Sequence, residues 1–586
     1  MKSRTVVILM SGMLLCTLYA IFLHSTQEPL FMYREQQQIF MWDMDYMAGL
    51  LSQTGGFSTL ASQFLVQFFH LPWAGAVITA VITTITGMFL WHSIYRLNDN
   101  IICWPLAMLP AYLQGICLLD MGYHYEAIVA MLVFAIMLDI YLLVTRRTVA
   151  VLRILAGIVF TLLLYLYIGS IATLFAICAF TFDMLQSPRR GWMSSAYLLA
   201  CLAAALVTVS DGRTVGFDYA LWTKGYYEYY VAQGLWQSLS WLLVPAIMIV
   251  AGISSRFQPK PVVQAAAVFM LLAAGGLFIY VQSEKRTNRD FRTLACLMDC
   301  INREDWAGIT ENRDLNYKNY LHLNCLNLAL SHQGKMMTDL FRYPQKGAQS
   351  LMVGYQAYND LNVLFSHIYY HTGVISEALC LSFGTMIATT YGNPTLLKLL
   401  VKERLVFGDY QVAEKYITRL ERTYAYREWA TGMRKFLNDD LAVESDPELG
   451  QKRRSLPAPQ PAFVVLDGIM ADLARVMESG TDEKYAMEYA MAMMMLDKNL
   501  EGIRYLSDRY LPYQDGQPVP PLMQQALTVL AEHDEGYCRS HGVDDETISR
   551  FMTFKQAVLN ARRNSQNQQA ALASYRGTYW YYYMFD

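Results

Sequence analysis

YEAIVAMLVFAIMLDIYLLV, residues 125–144, is an apolar stretch with only two charged side chains, Glu126 and Asp139. A helix needs about 20 such residues to cross the hydrocarbon of a bilayer. Apolar residues stand on every side of this helix, so it lacks the polar face that a surface helix of a soluble protein turns to water. The stretch therefore predicts a membrane-spanning helix, and we expect Asp139 to reach Arg146 near its end rather than to mark a proton path.

Eight further apolar runs of similar length predict a polytopic membrane domain in residues 1–281. The nine predicted spans are 5–23, 73–93, 101–119, 125–144, 149–168, 170–185, 194–210, 236–254 and 261–281. The fifth and sixth runs are nearly continuous, and Gly169 with Ser170 is the predicted tight turn between them. The predicted fold class is all-α, with about nine spans followed by a soluble helical domain.

Charge separates the chain into two halves. Residues 1–281 hold 13 Lys+Arg and 12 Asp+Glu, whereas residues 282–586 hold 33 and 37. The first half therefore has membrane lipids as its predicted surroundings, and the second half is predicted to be water-soluble. Neither half is strongly basic, so the composition predicts no nucleic-acid partner. The ten cysteines form no CxxC motif and divide five and five, which favours buried free thiols over a disulfide framework.

Basic residues near the span ends predict the orientation of the first half. With the N-terminus in the cytoplasm, the inner loops carry ten of them: Lys2, Arg4, Arg96, Arg146, Arg147, Arg153, Arg189, Arg190, Arg256 and Lys260. The outer loops carry three: Arg34, Arg213 and Lys224. Nine crossings then place residues 282–586 outside the cytoplasm. We expect a protein of the bacterial inner membrane with a periplasmic C-terminal domain.

The predicted first outer loop, which begins with REQQQIFMWDMDYMAGLLSQTGG (34–56), mixes apolar residues with acids and glutamines. This pattern is typical of amphipathic helices that lie in the membrane interface. Gly55 and Gly56 break it, so two interfacial helices are predicted within residues 34–69.

The second half contains a recurring helical pattern. In TGVISEALCLSFGTM (372–386) and FGDYQVAEKYITRLER (407–422), a glycine precedes an alanine by five residues, and the two glycines lie 35 residues apart. HQGKMMTDLF (332–341) is a weaker copy, with Asp339 in place of the alanine. The pattern resembles the tetratricopeptide repeat, a helix–turn–helix of about 34 residues. We predict such repeats in residues 282–440, a charged, Pro-rich linker at 441–460, and a second helical subdomain at 461–586 with an aromatic tail.

Several stretches resemble one bacterial family of uncharacterised multi-pass membrane proteins, a domain of unknown function. They are GGFSTLASQFLVQFFHLPWAGA (55–76), NLALSHQGKMMTDLFRYPQKG (327–347), GDYQVAEKYITRLERTYAYREWA (408–430) and GTYWYYYMF (577–585). The likeness covers nearly the whole chain. It implies the architecture and supplies no catalytic residue.

Polar side chains gather in three predicted outer loops. These candidates are Asp43 and Asp45 in the first loop, Asp120, His124 and Glu126 in the second, and Arg213 and Lys224 in the third. Transfer from a lipid phosphate needs a carboxylate to activate or position the acceptor hydroxyl. It also needs Arg, Lys or a divalent cation to neutralise the leaving phosphate.

This layout resembles the GT-C class of membrane glycosyltransferases, which use lipid-linked sugar donors and carry an essential acid in the first outer loop. The resemblance implies Asp43 or Asp45 as the catalytic base and a polyprenyl-linked sugar as the substrate. It implies substrate binding by Arg213, Lys224 and His124, and a divalent cation held by Asp120 and Glu126. Two departures stand out: Asp120 and Glu126 are six residues apart rather than closely paired, and no WWD motif occurs.

A non-enzymatic function is the alternative prediction. Repeat solenoids present concave surfaces for protein partners. The membrane half would then anchor a scaffold or assembly factor for exported or envelope proteins. A transporter is disfavoured, because few charges lie within the spans and no inverted repeat is visible.

Overall fold

The structure is a computed structural model in which nearly every described segment is helical. It describes residues 2–187, 191–228, 232–255, 259–353, 359–389, 391–456, 469–478, 484–510, 518–564 and 567–585. Within these residues there is no strand, and an isolated antiparallel bridge joins Tyr123 to Tyr227. The all-α class is confirmed. Arg189, Arg190 and Arg256, which contribute to the predicted orientation, lie outside the described residues.

The chain forms two compact units. The first comprises Met1–Asn288 with the short segment Arg422–Ala425, and the second comprises Arg289–Glu421 and Tyr426–Asp586. We call them the membrane unit and the helical unit.

The membrane unit has a helix on each of the nine predicted apolar runs and three short helices between them. They are α1 (Lys2–Gln36), α2 (Met44–Leu51), α3 (Gly56–Val66), α4 (Ala74–Tyr95), α5 (Cys103–Cys117), α6 (Glu126–Val144), α7 (Ala150–Ile168), α8 (Ala172–Gln186), α9 (Ser195–Ser210), α10 (Phe217–Leu221), α11 (Leu235–Ser254) and α12 (Pro261–Arg286).

Seven of the described helices are long and apolar enough to cross a membrane: α1, α4, α6, α7, α9, α11 and α12. This finding indicates a membrane protein. The two remaining predicted spans form the shorter helices α5 and α8, each of 15 residues. The count of nine crossings therefore stays a prediction.

Apolar side chains cover much of the surface of the membrane unit. In α12, all of which is described, the buried residues are Gln264 and Ser283, whereas Val262, Phe269 and Leu277 are exposed. A helix in water buries its apolar side chains and exposes its polar ones, whereas α12 does the opposite. Large exposed apolar surfaces mark contact with a membrane or a partner. The arrangement fits lipid around the unit.

The interior of the membrane unit is held by polar contacts as well as by packing. In α4, Thr79 Oγ1 lies 3.0 Å from the hydroxyl of Tyr125, and Thr84 Oγ1 lies 2.9 Å from that of Tyr112. Hydroxyl groups commonly join helices in this way where lipid offers no hydrogen-bond partner.

Asp139 has partners on α4 and not the expected Arg146. Its Oδ1 lies 2.9 Å from Arg96 Nη2 and 2.9 Å from His92 Nδ1. The expectation was wrong because His92 and Arg96, four residues apart, occupy one helical face that packs against α6. Arg146 was expected as the partner because it is close to Asp139 in the sequence. The packing of α4 against α6 brings His92 and Arg96 next to Asp139 instead.

The segment 34–69 differs in part from the prediction. The first helix continues to Gln36, so residues 34–36 belong to α1 rather than to an interfacial helix. Two short helices follow as expected, α2 and α3, and Gly55 caps the second with a φ of 81°. Their placement in a membrane interface stays a prediction.

The helical unit is built from short antiparallel helices. They are α13 (Arg289–Asn302), α14 (Trp306–Thr310), α15 (Tyr320–His332), α16 (Met336–Asp339), α17 (Asn359–His371), α18 (Ile375–Ala388), α19 (Pro394–Phe407), α20 (Tyr410–Glu421), α21 (Arg427–Met433), α22 (Asp440–Ser445), α23 (Pro447–Arg454), α24 (Ile469–Glu478), α25 (Lys484–Leu496), α26 (Leu500–Tyr510), α27 (Pro521–Leu530), α28 (Glu535–Ser540), α29 (Asp545–Arg563), α30 (Gln568–Ala571) and α31 (Tyr579–Phe585).

The recurring glycines stand at the turns of helical hairpins. Gly373 joins α17 to α18 with a φ of 84°, and Gly408 joins α19 to α20 with a φ of 78°. Glycine adopts such values most readily, because it has no Cβ. Ala378 and Ala413 are fully buried against the partner helices. The hairpins are present at the predicted positions, and their assignment to the tetratricopeptide type stays a prediction.

The segment predicted as a linker, 441–460, contains α23 and most of α22. Leu449 and Lys452 in α23 are 2% and 3% exposed, so this segment packs into the unit. Residues 457–460 of the predicted linker lie outside the described residues. The aromatic tail forms α31, where Trp580 is buried and donates from Nε1 to Thr528 Oγ1 of α27 at 2.9 Å.

All ten cysteines lie among the described residues, and all are free thiols. The prediction of buried free thiols holds for six of them, whereas Cys16, Cys296 and Cys300 are partly buried and Cys380 is exposed.

Candidate functional site

Four connections of the membrane unit meet at one end, which we call the loop end. The connection between α1 and α4 reaches α7 through a hydrogen bond from Gly55 N to Leu166 O of 3.0 Å. The connections α5–α6 and α10–α11 pair as short extended segments. His124 N donates to Tyr226 O at 2.9 Å, and Glu228 N donates to Gly122 O at 2.8 Å. Residues distant in sequence are thereby brought to one site.

The side chain of Arg34, near the end of α1, binds the backbone of the α5–α6 connection. Its guanidinium donates from Nη2 to the carbonyls of Leu118 and Asp120, both at 2.8 Å, and from Nη1 to that of Tyr123. The side chain is only 6% exposed. A cation with several fixed donors is well suited to fix a loop in this way. In the sequence, Arg34 contributed only to the orientation argument.

The centre of the loop end is a histidine between two glutamates. His124 Nδ1 lies 3.5 Å from Glu126 Oε1, and His124 Nε2 lies 3.3 Å from Glu228 Oε1. Burial alone would lower the pKa of His124, but the hydrogen bonds and negative charges of both glutamates outweigh it and raise the pKa to about 9. His124 is therefore a cation at neutral pH. Glu126 also accepts a hydrogen bond of 2.6 Å from Thr59 Oγ1.

A cavity of about 620 Å³ opens beside this cluster, and we call it the loop-end cavity. The segment 52–59 supplies much of its polar wall through Ser52, Gln53, Thr54, Ser58 and Thr59. Glu126, 8% exposed, contributes a carboxylate, and Arg213 contributes a guanidinium. The rest of the cavity wall includes Tyr165, Tyr219 and Tyr226 and the turn between α7 and α8. Its volume lies within the range typical of small-molecule sites.

The turn between α7 and α8 shapes one edge of the loop-end cavity. Gly169 has a φ of 93° and a ψ of −147°, a combination that only glycine adopts readily. Its Cα approaches that of Gly55, so that a Cβ built on Gly169 would lie 3.6 Å from Gly55 Cα. The predicted break between the fifth and sixth apolar runs therefore falls at the cavity.

The structure brings three of the predicted residues together and leaves four aside. Glu126 and Arg213 line the loop-end cavity, and His124 contacts Glu126. Arg213 is exposed, with Nε 3.8 Å from Asp211 Oδ2. The other four predicted residues are absent from the described lining of this cavity: Asp43, Asp45, Asp120 and Lys224.

Each of these four has a local environment of its own. Asp43 caps α2 by accepting from Tyr46 N at 2.9 Å, and it forms an ion pair with Arg422 of the same unit. Asp45 is exposed in the first turn of α2. Asp120 closes a turn by accepting from Gly122 N at 3.0 Å. Lys224 lies over the ring of Tyr219, 4.9 Å from its centroid. Their predicted roles as base, metal ligand and phosphate-binding group stay predictions.

The described residues of the loop end do not form a complete binding site for a divalent cation. Among the described residues, no group of three or more His, Cys, Asp or Glu side chains is arranged to hold a metal ion. A cation shared between Asp120 or Glu126 and substrate phosphates needs fewer protein ligands, as Mg²⁺ sites often have. The predicted cation is therefore best considered as one that arrives with substrate.

Two residues of the site were not chosen from the sequence. Glu228 stood among many tyrosines, and Thr59 lay in an apolar stretch without a recognisable motif. Glu228 reaches the site through the backbone pairing of residues 122 and 228, and Thr59 reaches Glu126 across the contact between α3 and α6. No pattern within any of these segments indicates either contact.

The membrane unit also contains an apolar cavity of about 970 Å³ between α1, α5, α11 and α12. Its wall is formed by side chains such as Leu18, Phe22, Leu113, Leu243 and Phe278. Such a surface accommodates a hydrocarbon chain and offers almost no polar partner.

Residues 2–586 match the model described as Family of unknown function (DUF6057). The chain belongs to this family. The match covers essentially the whole sequence and confirms the predicted membership of an uncharacterised family. No curated protein and no solved structure matches the chain.

Proposed function

We propose that this member of the DUF6057 family is a membrane transferase organised like the GT-C glycosyltransferases, which takes a sugar from a lipid-linked donor in the loop-end cavity. The observation that carries the proposal is Glu126, a nearly buried carboxylate in the wall of a polar cavity at one end of a membrane unit. Thr59 and His124 fix its orientation through two different contacts. A positioned carboxylate is the group that activates an acceptor hydroxyl.

The remaining walls fit the other parts of such a donor. Arg213 supplies a positive charge for the donor phosphate, with Lys224 and His124 as the further predicted binding groups. Serine and threonine hydroxyls of residues 52–59 suit the hydroxyls of a sugar. The apolar cavity between α1, α5, α11 and α12 suits part of a prenyl chain. A divalent cation would enter with the phosphate.

In this proposal the loop end faces the outside of the bacterial inner membrane. The distribution of Lys and Arg near the span ends supports this orientation. A periplasm-dependent reporter fused after residue 586 should then be active, and a cytosolic reporter at the same position should be inactive. The opposite result would place the loop end in the cytoplasm and remove periplasmic acceptors.

The decisive experiment measures sugar transfer in membranes that contain the full-length chain. A radiolabelled polyprenyl-phosphate hexose is supplied, and label leaving the organic phase is counted. Glu126→Gln should abolish transfer, because the amide cannot accept a proton, while the chain remains folded. Asp218→Asn is the matched control, since Asp218 is exposed in the α9–α11 connection and absent from the described cavity lining.

The double variant D43N/D45N separates the two candidate positions for the base. If it abolishes transfer and Glu126→Gln does not, the first-loop acid implied by the GT-C resemblance is the base and the loop-end cavity is not. If all three carboxylates can be replaced without loss of transfer, none of them is the base; if membranes with the wild-type chain transfer no more label than membranes without it, the enzymatic proposal fails.

A scaffold for exported or envelope proteins is the second candidate, and the helical hairpins α17–α18 and α19–α20 favour it. Their glycine turns and buried alanines are features that let hairpins stack into a solenoid. Full cellular function of a chain carrying E126Q, D43N and D45N together would support the scaffold over the transferase.

A further inference from the structure

Two cysteines lie on one face of α13, the first helix of the helical unit. Cys296 and Cys300 are four residues apart, and side chains with this spacing are neighbours on a helix surface. Both side chains are half-buried, and every residue from 259 to 353 is described. No role proposed for the loop end involves either thiol.

The two thiols contact each other. A hydrogen bond from Cys300 lowers the pKa of Cys296, and the same hydrogen bond, together with burial, raises the pKa of Cys300. Cys296 is therefore the member of the pair that loses its proton more readily. A thiol donates and accepts only weakly, so this contact leaves both sulfur atoms available to a stronger ligand.

The chain after α13 leaves room beside the pair. Asp305 N donates to Cys300 O at 2.8 Å, which turns the chain back towards α13. A Cβ built on Gly308 of α14 would lie 3.3 Å from Cys300 Sγ, so a larger residue at this position would crowd the thiol. Just beyond α14, Asn312 donates from Nδ2 to Cys296 Sγ at 3.9 Å. Both sulfur atoms therefore lie on the side of α13 that packs against α14.

The helix keeps the pair too far apart for an unstrained disulfide. Side chains four residues apart on a helix have Cβ atoms about 5–6 Å apart. A disulfide requires about 3.5–4.5 Å between the Cβ atoms, so forming one would distort the last turn of α13. A metal ion between the sulfur atoms needs more space, because two bonds of about 2.3 Å separate the sulfurs by up to about 4.6 Å. The helical spacing therefore suits a bridging ion better than a covalent bond.

The number of ligands indicates the kind of ion. Among the described residues, no group of three or more His, Cys, Asp or Glu side chains is arranged to hold a metal. Zinc sites in proteins have three or four protein ligands, so two thiols do not complete one. Thiolates select soft ions, among them Cu(I). Cu(I) has a filled d shell and accepts two thiolates in a linear arrangement, which is the number of ligands that this face of α13 provides.

We propose that Cys296 and Cys300 bind one Cu(I) ion as a two-coordinate bridge along α13. Both thiols lose their protons on binding, so two protons leave for each ion that enters, and the oxidation state of the copper does not change. The bridge joins two successive turns and fixes the end of α13, where the chain turns towards α14. The proposal depends neither on transferase activity nor on the side of the membrane that the helical unit faces.

The test measures Cu(I) transfer to the full-length chain in lipid nanodiscs. The protein is reduced, freed of reductant under nitrogen and mixed with Cu(I) held by bathocuproine disulfonate, whose colour fades as the ion leaves it. The wild type should take up one ion more per chain than the double variant Cys296→Ser, Cys300→Ser. X-ray absorption should show two sulfur neighbours around that ion. The melting temperature of the wild type should rise on binding, and that of the double variant should not.

Each single variant, C296S or C300S, should lower the affinity for Cu(I) by about 100-fold or more, since even a residue that only supports a metal ligand costs roughly 10–100-fold when it is lost. Serine keeps the size of the side chain, so the variants should fold like the wild type, which circular dichroism checks. Cys380→Ser is the matched control, because Cys380 is an exposed free thiol of the same unit with no second cysteine on α18. It should bind like the wild type.

Equal Cu(I) uptake by the wild type and the double variant would overturn the proposal. Wild-type affinity in either single variant would do the same, because a bridge needs both thiolates. A third contrary result is displacement of the bound Cu(I) by an about tenfold excess of Zn²⁺, which would show a site with more ligands than the two thiols.

Discussion

The loop end and the helical unit each contain a buried histidine whose charge is set by its neighbours: His124 is a cation, and His367, in a cleft of the helical unit that His332, Lys398 and Lys402 also line, is neutral. At the loop end, two glutamates flank His124 and raise its pKa to about 9. In the cleft, lysines surround His367 and add to the effect of burial, which lowers its pKa to about 3. The comparison teaches that neighbours, and not burial alone, decide whether a buried imidazole is a cation or a neutral hydrogen-bonding group.

The contrast extends to the groups beside each histidine. At the loop end, His124 contacts Glu126, which accepts a hydrogen bond from Thr59 and lines the cavity together with the exposed Arg213. In the cleft, burial together with the charges of Lys402 and Lys398 keeps the imidazole of His367 neutral.

The largest expected effect is on the pKa of His124 when the two glutamate charges that flank it are removed. In the double variant Glu126→Gln, Glu228→Gln, burial is the dominant influence left on His124. We expect its pKa to fall from about 9 to below 6.5, a change of more than about 300-fold in proton affinity. Nitrogen NMR of 15N-histidine-labelled protein as a function of pH measures it. E228Q alone should give an intermediate value, and an unchanged pKa in the double variant would show that other groups hold the charge.

The second effect is on stability at alkaline pH. The pKa of His124 is higher in the folded chain than in the unfolded one, so its contribution is fully present below about pH 6.5 and is lost as pH rises to about 9. The amount is on the order of 3 kcal/mol. Melting temperatures between pH 6 and 10 should show this loss in the wild type, and His124→Gln should flatten the curve. An equal slope in both proteins would contradict the assignment.

The cleft around His367 should show the opposite pH dependence. The pKa of His367 is lower in the folded chain, so its contribution is present above about pH 6.5 and is lost as pH falls towards about 3. His367→Gln should reduce the acid sensitivity of the helical unit, measured as the difference in melting temperature between pH 7 and pH 4.5. His541→Gln is a control in the same unit, because His541 lies outside the described cleft lining. A wild-type difference in H367Q would contradict the prediction.

Residues that form sites by local pattern were predictable from the sequence, whereas those joined by tertiary contacts were not. The apolar runs gave the helices, and the turn at Gly169 and the hairpin glycines Gly373 and Gly408 fell where expected, because these features depend on neighbouring residues. His124 and Glu126 were found because they lie in the same short loop, with only Tyr125 between them. Their partner Glu228 was not, because it reaches them through backbone pairing across about a hundred residues.

The same distinction explains the remaining differences. Asp139 was matched with a nearby residue of its own segment, but helix packing supplied Arg96 from α4. The cleft around His367 was not predicted because its lining residues come from seven helices, and Lys452 lay in a segment whose composition predicts a linker. Composition describes the average exposure of a segment and says nothing of one side chain that points inwards.

The smallest expected effect is a difference in stability between two variants, in which a turn glycine of each unit is replaced by asparagine. Gly169 beside the loop-end cavity has a ψ of −147°, whereas Gly408 in the helical unit has a ψ of 13° and lies in the left-handed helical region. Asparagine tolerates the second conformation but not the first. We therefore expect Gly169→Asn to destabilise the membrane unit by about 2 kcal/mol and Gly408→Asn to cost less than about 1 kcal/mol. Thermal unfolding in nanodiscs measures both. If the two substitutions cost the same, the backbone at Gly169 does not carry the strain that would make glycine necessary beside the cavity, and the turn could be rebuilt without loss of the site.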